Sequence, residues 1–287
     1  MNSIVIGASG KIGKYFFNTK KKDLLLTYNK NKIKNGIKFN IFTDKIEDLV
    51  IKKKITKAVI LSAYSDPDYC IKNRKKSELL NVVKTKKLIS YFIKKNIYFI
   101  FYSTEFIYDG KKGNYSELSK SNPINLYGKQ KLMIEKFIKK NAKFYSIFRI
   151  AKTYGNDLKD NTLVSYFIAK SKQKNSIVLA ATDQKFSPLY SRDLVKITHL
   201  FLKKKIIGTF NIGGPKSYSR YGLYVKFNNL VKNKKKFNKV KIVKKNLNQF
   251  KFDDKRAKNV SFNIKKIKKF IHFKLTNIED VFKKAAV

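Results

Sequence analysis

The sequence has a single cysteine, Cys70, which excludes an intramolecular disulfide framework and leaves no cysteine cluster for zinc. Its two histidines, His199 and His272, have neither a nearby cysteine nor each other as a neighbour. A metal site and histidine-based nucleophilic catalysis are therefore not expected, and any catalysis must run on other side chains. No apolar run approaches the roughly 20 residues that span a bilayer. No signal peptide is read at the start, because Ser3–Gly7 already run as a strand into a glycine turn. The expected setting is soluble, reducing and cytoplasmic.

Arginine is scarce as well. It occurs at positions 74, 149, 192, 220 and 256, leaving 61 lysines among the 66 cations, against 19 acids and a net charge of +47. Such charge points first to nucleic acid. The lysines, however, are spread over most predicted helix faces, and bidentate contacts to bases or phosphates favour arginine. The charge is read as a solvated surface, with no specific nucleic-acid partner and no membrane, that still attracts anionic ligands.

What is present is a chain of 287 residues, 43% hydrophobic, able to bury a large core. In its first half short apolar runs alternate with helical patterns. Ile4–Ile6, Leu24–Thr27, Ile37–Phe39, Ala58–Leu61, Tyr98–Tyr102 and Phe144–Phe148 read as strands. Residues 11–18, 45–53, 68–95 and 127–140 read as helices. This alternation predicts an α/β fold with a parallel sheet covered on both faces. Beyond 150 the pattern weakens to helices near 160–173 and 191–204 and a strand at Gly208–Ile212. The lysine-rich stretch Lys232–Lys245 reads as a solvated helix or strand.

Gly7-Ala8-Ser9-Gly10-Lys11-Ile12-Gly13 follows the first strand and opens the first helix. Glycines there suit a tight turn, a close approach of backbone to a pyrophosphate and close strand–helix packing. Tyr28-Asn29-Lys30 ends the second strand without the acid that NAD-specific proteins use on the ribose, which favours NADPH, with NADH as the alternative.

A Tyr-x-x-x-Lys pair sets both side chains on one helical face, where the ammonium is expected to lower the tyrosine pKa. Lysine fills roughly one position in five, so about three or four chance pairs are expected among the tyrosines. Five occur: Tyr28/Lys32, Tyr91/Lys95, Tyr108/Lys112, Tyr127/Lys131 and Tyr166/Lys170. Context selects Tyr127/Lys131, which opens a helix after the fifth strand, whose end carries Ser103 and Thr104. Ligands of open parallel sheets bind beyond the strands' carboxyl ends, so those hydroxyls face the same crevice as the glycine turn.

Gly7–Gly13, the run Ser103-Thr104-Glu105-Phe106-Ile107-Tyr108-Asp109-Gly110 and the run Pro123-Ile124-Asn125-Leu126-Tyr127-Gly128-Lys129-Gln130-Lys131 together resemble the extended short-chain dehydrogenases/reductases. Within them the resemblance is to the dTDP-4-dehydrorhamnose reductase group. Arg149 with Tyr154-Gly155, Asp183-Gln184 with Pro188, Arg192-Asp193-Leu194, Gly208–Gly213 and Asn263–Phe273 extend it over almost the whole chain. The resemblance implies a Rossmann-type doubly wound core (1–155, with 190–212 returning to it) and a smaller C-terminal substrate lobe (156–189 and 213–287). It implies reduction of a nucleotide-linked 4-keto-sugar, with Thr104, Tyr127 and Lys131 catalytic. Gly7, Ser9, Gly10, Lys11, Ile12, Gly13, Ala63, Tyr127 and Lys131 would hold NAD(P)H. Thr104, Glu105 and Lys152 would meet the sugar, and the resemblance also allows a homodimer. Two departures stand out: Lys152 where rhamnose-forming reductases usually carry tryptophan, and Ile134 where glycine commonly precedes Glu135. The alternatives are an epimerase or dehydratase of the same fold, or a non-catalytic binding subunit like the regulatory subunit of methionine adenosyltransferase.

Overall fold

The computed structural model describes residues 2–17, 23–160, 162–232 and 234–286. Its first half comprises β1 (Asn2–Ile6), α1 (Lys14–Phe17), β2 (Leu24–Tyr28), β3 (Ile37–Lys38), α2 (Ile46–Lys52), β4 (Ile55–Ile60), α3 (Pro67–Lys72), α4 (Arg74–Glu78), α5 (Thr85–Lys94), β5 (Tyr98–Thr104), α6 (Leu126–Asn141) and β6 (Tyr145–Ile150). The second half comprises β7 (Thr153–Tyr154), α7 (Leu163–Ser171), β8 (Ile177–Ala181), β9 (Lys185–Phe186), β10 (Leu189–Tyr190), α8 (Ser191–Lys204), β11 (Gly208–Ile212), β12 (Tyr218–Ser219), α9 (Arg220–Val231), β13 (Lys241–Lys245), α10 (Lys265–Lys268) and α11 (Ile278–Ala285).

Seven parallel strands form the main sheet in the order β11-β6-β5-β4-β1-β2-β3. The fold is α/β and Rossmann-like, as the alternating pattern predicts. β5, Tyr-Phe-Ile-Phe-Tyr-Ser-Thr, is buried at every position, as expected for a central strand with helices on both faces. Strand order reverses between β1 and β4, so the loops leaving their carboxyl ends diverge and open a crevice.

The predicted helix 68–95 is interrupted. Asn73 (φ −117°, ψ 49°) breaks it after α3, and its side chain donates to the Tyr69 carbonyl, offering the backbone a non-helical partner. A π-helical segment, Leu79–Lys84, then precedes α5. It places Asn81 to accept from Tyr64 N and donate to Tyr64 O, both at 2.9 Å, which fastens the loop after β4. The predicted helix 11–18 is shorter; α1 covers 14–17, and Asn18 lies outside the described residues.

In the C-terminal half, β8 and β13 make a separate two-stranded parallel sheet against α9, which packs in turn on α7 and α11. These helices share an aromatic core in which Phe227 and Phe282 stack at 4.0 Å between centroids and Phe167 stacks on Tyr224 at 5.0 Å. Of the predicted solvated stretch 232–245, Lys241–Lys245 form the strand β13 and the described residues before it are turn and loop; Asn233 lies outside the described residues. Among the described residues no helix is long and apolar enough to cross a membrane.

Candidate active site

Gly7 adopts φ +88°, and a Cβ there would lie 2.9 Å from the Ser62 backbone, so the turn after β1 requires glycine. At Gly13 a Cβ would collide with the Ala8 carbonyl, which brings the chain entering α1 tightly against the turn. Thr27 ties the turn to β2: its hydroxyl accepts from Gly7 N, and its carbonyl accepts from Ala8 N at 2.8 Å. A cavity of about 550 Å³ opens beside these residues at the β1/β4 divergence. Gly7, Ser9, Gly10 and Ala63 line it, together with Tyr28, Asn29 and Lys30, and no acid does. Lys11, Ile12 and Gly13 are not among its lining residues. Lys11 instead acts electrostatically on Lys152, across the site.

Thr104 ends β5, paired in register with Ile150 of β6. Its hydroxyl accepts from Phe106 N, which caps a short 3-10 turn. Asn125 caps α6 by accepting from Gly128 N at 2.8 Å, which sets Tyr127 in the first turn. Tyr127 is 7% exposed and packs edge-on against Phe106, with centroids 6.4 Å apart. The structure therefore brings Thr104 and Tyr127 together, and a hydrogen bond from Thr104 favours the phenolate. Burial outweighs it and raises the Tyr127 pKa.

This corrects the expected depression of the Tyr127 pKa by its lysine. Lys131 is buried one turn along; its Nζ donates to the Tyr102 carbonyl at 2.8 Å and lies 5.9 Å from the Tyr127 ring centroid. Desolvation pushes the Lys131 pKa down to about 7, so its charge is itself under strain. Cys70, buried at the end of α3, acts electrostatically on both side chains; burial pushes its thiol up to about 11.

Ser103 points away from this group. It donates to Glu135 at 2.5 Å, and Glu135 receives Arg149 in a fork, with NH2 to Oε2 at 2.7 Å and Nε to Oε1 at 3.2 Å. Arg149 also donates to the Tyr108 hydroxyl at 2.8 Å. The fully buried Ile134 sits in the core beneath α6, which accounts for its departure from glycine as packing.

Glu105 and Lys152 meet on the far side of Thr104. The Glu105 carboxyl is buried, accepts from the Lys152 backbone N–H and leaves Oε2 without a hydrogen-bond partner among the described residues; burial raises its pKa. Lys152 opens into a second cavity of about 390 Å³ that is also lined by Phe106, Tyr166, Arg220, Phe252 and Arg256. Although its side chain is exposed to the cavity, desolvation and then the Arg220 charge lower its pKa, against the pull of the Glu105 carboxyl. Arg220 donates to Gln184 Oε1 at 2.9 Å. Arg256 pairs with Asp68 at 2.8 Å and belongs to a strap in which Asp254 Oδ2 accepts from Leu126 N at 2.7 Å. Neither arginine was assigned a role from sequence. A signal was present: where lysine is the default cation, arginine is the exception, and Arg149, Arg220 and Arg256 each use the guanidinium in a specific contact.

A model of the RmlD substrate binding domain family matches residues 1–286. The chain belongs to that family. This agrees with the resemblance carried by the glycine turn and the Thr104 and Tyr127 motifs. Among curated relatives, the probable low-salt glycan biosynthesis reductase Agl14 of Haloferax volcanii is 26% identical over 173 residues, 59% of this chain and 58% of that protein. Methionine adenosyltransferase 2 subunit beta of Xenopus tropicalis is 25% identical over 162 residues, 54% of this chain and 48% of that protein. The chain thus spans about half the length of the curated relatives it matches. The structure of dTDP-4-dehydrorhamnose reductase from Bacillus anthracis in complex with NADP superposes with a TM-score of 0.83 at 20% identity, covering 99% of this chain and 98% of that one. That likeness establishes the shared fold.

Proposed function

We propose that the protein is an NADPH-dependent reductase of a nucleotide-linked 4-keto-sugar, working in the cytoplasm. One observation carries the reading: Tyr127 and Thr104, buried side by side, stand with Lys131 beyond a glycine-walled crevice at the strand-order reversal. The crevice fits a dinucleotide. Gly7 and Gly13 hold conformations or approaches that a side chain would destroy, and the buried Ser62 hydroxyl beside Ala63 has no partner among the described residues. Gly7, Ser9, Gly10 and Ala63 would hold the cofactor. The absence of an acid at Tyr28-Asn29-Lys30 supports NADPH over NADH.

A bound nicotinamide would supply hydride to the carbonyl carbon. Tyr127, kept as the neutral phenol by burial, donates its proton to the carbonyl oxygen, and Thr104 hydrogen-bonds that oxygen. The Lys131 ammonium, close to the ring, favours the phenolate left behind. The core 1–155 with 190–212 would hold the cofactor, and 156–189 with 213–287 the sugar nucleotide. Tyr127→Phe is expected to lower turnover at least about 100-fold with NADPH affinity near normal, as loss of a general acid requires. Near-wild-type reduction of every nucleotide 4-keto-sugar that the parent protein reduces would overturn the assignment.

A second reading has its own support, because several curated relatives are subunits of methionine adenosyltransferase. In that case the protein binds dinucleotide without turnover. Absorbance at 340 nm, followed with a panel of 4-keto-sugar nucleotides, separates the two.

A further inference from the structure

We propose that Lys152, flanked by Arg220 and Arg256, makes the sugar pocket select a nucleotide sugar that bears a carboxylate on its ring. The proposal rests on the nucleotide-sugar reading above and narrows its substrate class. Lys152 stands at the reacting end of the cavity: it follows β6, whose last residue pairs with Thr104, and its backbone N–H reaches the Glu105 carboxyl. Phe106 bridges the two regions, lining the cavity while its ring packs on Tyr127. A group bound by Lys152 is therefore on the sugar, and the diphosphate must lie a ring's width further off.

The charge balance at that end is lopsided. Arg256 has Asp68 as its counter-ion and Arg220 is held by Gln184, whereas among the described residues the Lys152 ammonium has no hydrogen-bond or ion-pair partner. Glu105 is the nearby acid; burial disfavours its carboxylate form, and the Lys152 and Arg220 charges only partly offset that. A neutral sugar closing the cavity would strip water from Lys152 and give it no anion, a costly state for a cation. A ring carboxylate would pair with the ammonium, and the orphaned Glu105 oxygen, when protonated, donates to it as well.

The test is calorimetric titration of the NADP-loaded protein with UDP-glucuronic acid and UDP-glucose, repeated with the dTDP-linked pair. The acidic sugar is expected to bind at least about tenfold more tightly than its neutral twin. Lys152→Met should abolish that preference by weakening the acidic sugar selectively, and Lys152→Arg should retain it. Equal binding of acidic and neutral sugars overturns the proposal and leaves the nucleotide-sugar reading standing. So does an equal loss of both on Lys152→Met, which would assign the lysine to the diphosphate. Binding of NADPH with no binding of any nucleotide sugar overturns the reading itself.

Discussion

Removing one partner of the buried Glu135–Arg149 pair tests how β5, α6 and β6 are joined. Glu135 on α6 takes a hydrogen bond from Ser103 of β5 and a fork from Arg149 of β6, so three elements meet on one carboxylate. Ser103 precedes Thr104, and Glu135 lies one turn beyond Lys131. In Glu135→Gln the amide can still accept from Ser103, but Arg149, only 2% exposed, keeps a full charge with no counter-ion at hydrogen-bond range. An uncompensated charge of this kind costs about 3–5 kcal/mol. At roughly 2–4 °C per kcal/mol for a chain of this size, the midpoint should fall by about 10 °C. The double variant Glu135→Leu/Arg149→Met removes both charges and should recover most of the loss. With no tryptophan in the chain, equilibrium urea unfolding is best followed by far-UV circular dichroism. A loss under about 1 kcal/mol in Glu135→Gln, or a double variant worse than the two single losses combined, would refute the argument.

Lys131→Met should flatten part of the pH dependence of stability. The folded pKa of about 7 lies below the ordinary 10.5, so the unfolded chain binds the extra proton between those values, and stability from this group rises with pH there. Unfolding free energies of parent and variant at pH 7 and 10 give the difference directly; a constant difference refutes it. Lys131→Ala should weaken both NADPH binding and turnover, whereas an effect on folding alone would make the lysine structural. Gly13→Ala, which drives a methyl into the Ala8 carbonyl, should reduce NADPH affinity by at least about tenfold, as fluorescence titration of the nicotinamide would report. NADPH should be used more efficiently than NADH, and equal kcat/KM values would remove the argument from Tyr28-Asn29-Lys30.

The core was legible because its signals are local. Runs such as Tyr98–Tyr102 are apolar at every position, and the glycine turn follows one of them directly. The lobe hides its pattern. In α9 the buried Leu223, Tyr224, Phe227 and Val231 are interleaved with Gly222, Lys226 and two asparagines, so neither propensity nor composition marks a helix. α11 has only eight residues, although its Glu279/Asp280 start and Lys283/Lys284 end suit the helix dipole. β8 and β13 pair residues 64 positions apart, and no short-range pattern announces a parallel partner. Asn73 and the π-helical segment broke a continuous helical pattern for the sake of Asn81, whose contacts with Tyr64 are long-range.

The site divides along the same line. Thr104, Tyr127 and Lys131 were legible as candidates because they fall inside two motifs whose spacing is set by one strand end and one helix start. Arg220 and Arg256 come from the opening of α9 and from the strap anchored on Asp68, and only tertiary structure places them in the cavity with Lys152. The electrostatics were misread for a related reason. Helical spacing gives the distance from Lys131 to Tyr127, but the ionisation of both groups is dominated by burial, which spacing does not report. Both groups are thus driven toward their neutral forms, a state in which the phenol is ready to give a proton and the lysine holds its charge only weakly. On the proposed reading, a substrate anion near Lys152 would favour the neutral phenol further and oppose the loss of charge at Lys131, acting on the two groups in opposite senses through one low-dielectric space.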